Sequence, residues 1–243
     1  MTIPVAGATG KTGGPLVVEL LNGTHKVRVI VRSRERLPAA VRDNPNIAVT
    51  EANILDLSDE QMAEHVKGCD AIVSCLGHVI SFKGMYGEPR ELCTEAARRL
   101  CDAIERNTPA KPVKFILMNT VGVANPDLNE RRTWNDRLLL SVLRHLVPPH
   151  NDNETALAHL HRNVGSQNPY VEWSSVRPDS LIDGDVSSYD ITASPMTGIL
   201  SGRPTSRANV AHFMTQLIED EPLWNTWKFG APVIMNSQGQ VSP

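Results

Sequence analysis

Short apolar runs alternate with amphipathic segments along this 243-residue chain. The runs are rich in valine and isoleucine and show little polar alternation, as expected of strands that are covered on both faces. The segments between them repeat apolar residues at spacings of three and four, which is typical of helices that pack on one side of a sheet. The predicted strands are residues 2–6, 26–31, 46–51, 71–75, 113–118 and 170–176, and the predicted helices are residues 15–21, 58–66, 88–107, 131–146, 153–164 and 207–219.

This alternation predicts an α/β fold with a doubly wound parallel sheet of the Rossmann type. Ligands of such sheets bind along the carboxyl ends of the strands. The length fits one domain, so we expect residues 1–243 to form a single NAD(P)-binding unit. Residues from about 179 onward are richer in turns, and we expect them to form a small lobe on the substrate side, with residues 236–243 frayed at the end.

A glycine-rich turn follows the first predicted strand, where that strand enters a helix. Gly7, Gly10 and Gly13 would let the backbone approach a pyrophosphate closely, and the start of the helix would offer its free N–H groups. The Gly-Lys-Thr sequence that begins at Gly10 also resembles the end of a triphosphate-binding loop. That loop requires a further glycine where Val5 stands, so the turn favours a dinucleotide.

The end of the second predicted strand indicates which dinucleotide is bound. Arg32, Ser33 and Arg36 follow this strand, and guanidinium groups with a hydroxyl donor suit the 2′-phosphate of NADP. An NAD site would instead place a carboxylate directly after the strand. Glu35 shows that the segment is not purely basic, so a solvated charged turn remains the alternative.

Other strand ends supply the remaining candidates for cofactor binding. Asn53 and Ile54 would hold the adenine, and Gly77 would let the backbone approach the middle of the cofactor. The residues after the fifth strand would lie closest to the nicotinamide. The predicted NADP(H)-binding residues are Gly7, Thr9, Gly10, Lys11, Thr12, Arg32, Ser33, Arg36, Asn53, Ile54, Cys75, Leu76, Gly77, Met118, Asn119, Thr120 and Pro178.

Composition narrows the class of protein without identifying it. A net charge of −3 and the absence of a basic tract with aromatic residues give no reason to expect a nucleic acid or a membrane as partner. The four cysteines lack the spacing of metal-binding knuckles, so we expect free thiols and no metal. The first strand starts at residue 2, so we expect no secretory leader and a cytoplasmic location.

With these motifs, the chain resembles the NmrA-like group of atypical short-chain dehydrogenase/reductases, and within it the flavin reductases of the biliverdin reductase B type. The resemblance is carried by residues 5–13, 31–38, 70–73, 147–149, 202–207 and 210–214. It implies an NADPH-binding Rossmann domain with a shallow pocket over the nicotinamide. It further implies hydride transfer to a planar small molecule such as a flavin or a tetrapyrrole. We expect a monomer or a weak dimer.

The chain departs from this family pattern at the positions that would act in catalysis. The flavin reductases have a serine after the fifth strand and a histidine after the sixth, and the matching candidate catalytic residues here are Thr120 and Ser180. Short-chain dehydrogenases that reduce carbonyls use Tyr-x-x-x-Lys as the proton donor. None of the three tyrosines has a lysine four residues later.

Two functions therefore remain open. In the first, NADPH passes hydride to a flavin, a quinone or a similar conjugated acceptor, and solvent supplies the proton. In the second, the protein binds NADP(H) with weak or no turnover and acts as a redox-responsive regulator. The loop from His78 to Gly87 is either a lid over the acceptor, with Lys83 and Arg90 as anion contacts, or a structural loop.

Overall fold

A computed structural model describes residues 1–78, 89–128, 130, 134–136, 148–196, 198 and 202–237 of the chain. The predicted helix at 131–146 lies almost wholly outside the described residues, as do Lys83 with most of the proposed lid and most of the expected frayed end. Among the described residues, no helix combines the length and the apolar character that crossing a membrane would require.

The described chain alternates between strands and helices as far as β6. The strands are β1 Thr2–Ala6, β2 Lys26–Val31, β3 Ile47–Glu51, β4 Ala71–Ser74, β5 Val113–Met118, β6 Val171–Pro178, β7 Ser180–Ile182, β8 Tyr189–Thr192, β9 Pro204–Ser206 and β10 Val233–Asn236. The helices are α1 Gly13–Asn22, α2 Ala39–Arg42, α3 Asp59–Val66, α4 Leu92–Arg106, α5 Pro148–His159, α6 Arg207–Glu219 and α7 Glu221–Trp227. A 3₁₀ turn spans Arg34–Arg36, and a π-helical turn at Leu160–Val164 continues α5.

Eight strands form one sheet in the order β3-β2-β1-β4-β5-β6-β10-β8. All neighbouring pairs are parallel except β10 and β8, which are antiparallel. This arrangement confirms the predicted Rossmann-type α/β fold. The order reverses direction between β1 and β4, and a crevice at such a reversal is where open α/β sheets bind ligands.

The chain after residue 179 both extends this sheet and adds a second one. β10 pairs with β6 and β8 pairs with β10, so part of this region continues the main sheet. β7 and β9 form a separate parallel pair in which Ser180 lies opposite Pro204.

Two apolar layers cover the two faces of the main sheet. One layer joins the sheet to α1 and α6 through Leu20, Phe213 and Met214. The other joins it to α3, α4 and α5, with Phe115 and Trp173 fully or almost fully buried. Because successive strand residues point to opposite faces, the apolar runs of the central strands supply side chains to both layers.

Arg177, near the end of β6, contacts several separate segments at the carboxyl edge of the sheet. Its side chain is fully buried and donates hydrogen bonds to the carbonyls of Val123 and Ala231 at 2.7 Å and to that of Ala193 at 3.0 Å. The guanidinium also lies 2.8 Å from the carboxylate of Glu130, whose side chain is almost fully buried. Removing either partner would leave the other as a buried charge without its main counter-charge.

Candidate nucleotide-binding cleft

The turn after β1 is built in a way that only glycine permits. Gly7 has φ +81°, and its carbonyl accepts a hydrogen bond from the N–H of Gly10 at 2.9 Å. A Cβ atom at Gly7 would lie 2.6 Å from the carbonyl carbon of Cys75, and one at Gly13 would collide with the carbonyl oxygen of Gly7. At these two positions the turn therefore packs backbone against backbone, with no room for a side chain.

A cleft of about 410 Å³ opens beside this turn, at the carboxyl ends of β1 to β4. Its walls come from the segments at the ends of β1, β2, β3 and β4, which meet because these strands are neighbours in one sheet, and from Pro89 and Leu92 at the start of α4. The lining residues are Gly7, Thr9, Gly10, Ile30, Val31, Arg32, Arg36, Ala52, Asn53, Ile54, Cys75, Leu76, Gly77, His78, Pro89 and Leu92. The cleft thus joins a glycine-rich turn, two arginines and an apolar wall.

Most of the predicted cofactor-binding residues lie in this cleft. The structure brings together Gly7, Thr9, Gly10, Arg32, Arg36, Asn53, Ile54, Cys75, Leu76 and Gly77. The predicted residues outside its lining are Lys11, Thr12, Ser33, Met118, Asn119, Thr120 and Pro178. The lining residues that the sequence motifs do not predict are Ile30, Val31, Ala52, His78, Pro89 and Leu92; the first three are recognisable as residues at or beside strand ends.

Lys11 and Thr12 directly precede α1 and do not line the cleft. The Lys11 ammonium is exposed and lies 3.9 Å from the carboxylate of Asp183. Thr12 is buried, and its carbonyl accepts the N–H of Leu16 in the first turn of the helix. Their predicted contacts with the cofactor stay predictions.

The arginines after β2 divide into two groups. Arg32 and Arg36 line the cleft. Arg34 donates to the carbonyl of Arg42 at 2.9 Å, and Arg42 donates to the carbonyls of Glu35 and Leu37 at 2.6 and 3.2 Å. Arg34 and Arg42 thus stabilise the turn itself, whereas Arg32 and Arg36 line the cleft.

Ser33 has its hydroxyl group engaged with a neighbouring carboxylate. The Ser33 hydroxyl donates to the Glu35 carboxylate, and this hydrogen bond is the main cause that lowers the pKa of Glu35. The Glu35 carboxylate therefore already accepts the hydrogen bond that the Ser33 hydroxyl is predicted to donate to a ribose phosphate. Any phosphate at this position would have to displace or approach that carboxylate.

The turn after β5 carries the predicted nicotinamide contacts and is held by its own hydrogen bonds. The Asn119 side chain accepts the N–H of Thr120 at 2.9 Å and donates to the carbonyl of Asn153 on α5 at 3.0 Å. The Thr120 hydroxyl accepts the N–H of Gly122 at 3.3 Å. The turn is thereby fixed in place relative to α5.

Ser180, the second candidate catalytic residue, lies at the start of β7. Its N–H donates to the carboxylate of Asp179 at 2.8 Å, and the residue is exposed. The N–H of Val121, one residue after Thr120, donates to the carbonyl of Pro178 at 3.1 Å, which links the turns after β5 and β6. Both candidates are thus on neighbouring turns, and their predicted roles stay predictions.

A buried cluster of polar groups adjoins the cleft at His78. The imidazole Nε2 lies 2.7 Å from the Asp152 carboxylate, and the two side chains are 6% and 0% exposed. Asp152 belongs to α5 but also caps α4, since it accepts the N–H groups of Cys93 and Thr94 at 2.8 and 2.9 Å and the Thr94 hydroxyl at 2.7 Å. No local sequence pattern signals this cluster, because its members come from three separate segments.

His78, Cys93 and Asp152 also have the side-chain types of a metal site, with ligand atoms within 4.8 Å of one another. Their hydrogen bonds argue for a different role. The four acceptor positions of the carboxylate are matched by four donors, and burial, followed by the Asp152 charge, raises the pKa of the Cys93 thiol well above its usual range. A protonated thiol and a saturated carboxylate are poor metal ligands, so we interpret the group as a hydrogen-bonded cluster.

Comparisons with known proteins identify the family of the chain. A protein-family model described as NAD(P)H-binding matches residues 7–221. Among curated proteins, none matches the chain significantly.

Three solved structures illustrate the likeness in fold. An oxidoreductase from Lactococcus lactis has 19% sequence identity and a TM-score of 0.68, over 98% of this chain and 91% of that one. A short-chain dehydrogenase/reductase from Veillonella parvula in complex with NADP has 14% identity and a TM-score of 0.71, over 98% and 95%. A proposed NADH-flavin reductase from Streptococcus pneumoniae has 16% identity and a TM-score of 0.66, over 98% and 100%.

Proposed function

The chain belongs to the NAD(P)H-binding family, and from that premise we propose that it is an NADPH-dependent reductase of the atypical short-chain dehydrogenase/reductase type. The observation that carries the proposal is the cleft, which the glycine-rich turn after β1 and the arginines Arg32 and Arg36 after β2 line together. A dinucleotide needs both features, one for its pyrophosphate and one for its ribose.

The fit of the cofactor can be argued from the chain's own atoms. Side chains at Gly7 and Gly13 would collide with neighbouring backbone, so these glycines allow the tight turn into α1 at whose start the pyrophosphate would bind. Arg32 and Arg36 would bind the 2′-phosphate, since no carboxylate lines the cleft at the end of β2. Asn53 and Ile54 would bind the adenine. Reduced nicotinamide would supply the hydride.

The acceptor that we propose is a planar conjugated molecule such as a flavin, a quinone or a tetrapyrrole. The turns after β5 and β6 would orient it through the Thr120 and Ser180 hydroxyls. This assignment rests on the resemblance to the NmrA-like group and its biliverdin reductase B type, and it agrees with the flavin reductase activity proposed for the Streptococcus pneumoniae relative. We propose a cytoplasmic monomer or weak dimer that acts without nucleic acid or membrane partners.

A second candidate function is an NADP(H)-binding regulator with little or no turnover. The observation that favours it is that the hydroxyl of Thr120 and the amide of Asn119 are both engaged in holding their own turn. Groups that are engaged in this way hold the turn in place whether or not an acceptor reacts. The two candidates share the cleft and differ in whether the bound cofactor reacts.

The distinguishing experiment follows NADPH oxidation by its absorbance with a panel of flavins, quinones, tetrapyrroles and conjugated carbonyls. The reductase proposal predicts saturable oxidation with at least one class of acceptor. Tight NADPH binding with no oxidation of any acceptor would contradict the reductase proposal and support the regulator. The same panel with NADH controls for cofactor preference.

A further inference from the structure

The segment between β3 and α3 forms one wall of the nucleotide-binding cleft. This β3–α3 loop, residues 52–58, follows Glu51 at the end of β3. Ala52, Asn53 and Ile54 line the cleft, and the last two are the residues proposed to bind the adenine. The Ile54 side chain is buried, whereas Asn53 is exposed. The position of the loop therefore decides the shape of this end of the cleft.

Local hydrogen bonds shape the β3–α3 loop. The N–H of Asp56 donates to the Asn53 carbonyl at 3.0 Å, and the Asn53 side-chain amide donates to the Asp56 carboxylate at 3.2 Å. Ser58 forms a capping box with Gln61 at the start of α3. These contacts all lie within residues 53–61, so they define the shape of the turn and do not fix its position relative to the other walls of the cleft.

The side chain of Arg99 on α4 connects the β3–α3 loop to the rest of the protein. Its guanidinium donates to the carbonyls of Ile54 at 3.2 Å and Leu55 at 2.8 Å, and to that of Leu57. It also lies 3.4 Å from the Asp59 carboxylate, and the side chain is only 10% exposed. A guanidinium suits this position because its planar fork of five N–H groups can serve several acceptors at once.

The helix that carries Arg99 is anchored in an apolar layer of the sheet. Ala96, Leu100 and Ile104 of α4 are fully or almost fully buried in that layer. Leu92, at the start of the same helix, lines the cleft together with Ile54. The hydrogen bonds of Arg99 therefore hold the β3–α3 loop at a fixed separation from a second wall of the cleft.

We propose that Arg99 is a positioning residue for the adenine, because its hydrogen bonds hold the β3–α3 loop in the conformation that binds the base. The inference rests on the proposed function, in which Asn53 and Ile54 bind the adenine of the cofactor. Arg99 does not line the cleft, so it acts through the loop carbonyls. Without them, the loop populates other conformations, and the apparent affinity falls by the fraction of chains that can bind.

The test compares the wild type with Arg99→Met and with the control Arg106→Met, by calorimetric titration. The ligands are NADPH, NADH and adenosine 2′,5′-bisphosphate, which carries the adenine and the 2′-phosphate but no nicotinamide. Arg106 is a matched control because its guanidinium lies 2.8 Å from the same Asp59 carboxylate and 3.9 Å from that of Glu60, both in the first turn of α3. The control thus removes a cation beside Asp59 and leaves the contacts of Arg99 with the loop carbonyls intact.

Arg99→Met should weaken the binding of all three ligands by the same factor, about tenfold, because each of them carries the adenine. The preference for NADPH over NADH should stay within about twofold of the wild type, since Arg32 and Arg36 are the proposed contacts of the 2′-phosphate. Arg106→Met should bind all three ligands like the wild type. A loss of stability in a protein that is still folded at the temperature of the titration would change none of these affinities.

Wild-type affinity of Arg99→Met for adenosine 2′,5′-bisphosphate would overturn this inference and leave the NADPH proposal intact, and so would a loss confined to the two dinucleotides. A wild-type protein that binds none of the three ligands would overturn both. If Arg99→Met does not fold, Arg99→Lys decides, since it keeps a positive charge beside Asp59 but lacks the planar fork. We expect Arg99→Lys to bind all three ligands about threefold more weakly, and wild-type affinities in this variant would contradict the inference.

Discussion

At the scale of single residues, the arginines after β2 provide a matched comparison of cofactor contacts. Arg32→Asp should weaken NADPH binding by roughly 10- to 100-fold and NADH binding much less, because a charge-assisted hydrogen bond to the ribose phosphate is lost. Arg34→Asp is the control, since the Arg34 guanidinium is engaged with the Arg42 carbonyl. Calorimetric titration of both cofactors checks this. Equal losses for NADPH and NADH in Arg32→Asp would rule out the ribose-phosphate assignment.

Replacing Glu35, also a single residue after β2, should have the opposite effect on NADPH affinity to replacing Arg32. Glu35→Gln removes the carboxylate that accepts the Ser33 hydroxyl, so that hydroxyl becomes available to the phosphate and a repulsive charge disappears. We expect NADPH affinity to rise several-fold and NADH affinity to stay the same. The same titrations provide the measurement. An unchanged NADPH affinity would show that Glu35 and the phosphate do not compete.

At the scale of secondary-structure elements, the contact between α1 and α6 should make stability depend on pH. Burial, followed by the charge of Glu219 on α6, raises the pKa of Glu19 on α1 from 4.5 to about 7. The folded-state pKa is the higher one, so this stabilisation is complete below the unfolded-state pKa near 4.5 and is lost as the pH rises through about 7. The melting temperature should therefore fall as the pH rises from about 4.5 to about 7, and Glu19→Gln should reduce that fall. An equally steep fall in Glu19→Gln would contradict this origin.

Replacing the buried Arg177 tests how much its contacts at the carboxyl edge of the sheet contribute to the free energy of unfolding. Arg177→Met leaves the buried Glu130 carboxylate without this cation and removes three hydrogen bonds to carbonyls, so we expect it to cost about 3–5 kcal/mol. Arg98→Met is the control, since Arg98 forms its ion pairs on the half-exposed surface of α4 and should cost less than about 1 kcal/mol. Urea denaturation measures both. Similar losses of unfolding free energy in the two variants would contradict the claim that the buried ion pair stabilises the fold more than the exposed ones.

The elements differ in how far the sequence predicts them. The apolar pattern predicts β1, β2 and β5 with their observed bounds, because long apolar runs have few alternatives. It does not predict the strands β7 to β10, since three or four residues carry too little pattern and these strands form only by pairing with distant chain. α4 begins at Leu92, later than the predicted residue 88, and its first N–H groups are capped by Asp152 on α5.

At the scale of the whole molecule, the sheet order explains why one part of the site is predictable and another is not. Glycines, arginines and strand-end residues can each be recognised locally, and the parallel sheet brings them to one edge. The pair of His78 and Asp152 depends on how α5 packs against α4 and on the path of the chain after β4, which no local pattern encodes. The contact between His78 and Asp152 can therefore be recognised only in the structure and not in the sequence.

The central claim is that this cleft binds NADPH through the glycine turn and the two arginines. The most direct measurement is the calorimetric titration of the wild-type protein with NADPH and with NADH under the same low-salt conditions. We predict one site per chain and a dissociation constant for NADPH at least about tenfold lower than that for NADH. Equal affinities for the two cofactors would contradict the NADP assignment, and no binding of either would contradict the claim as a whole.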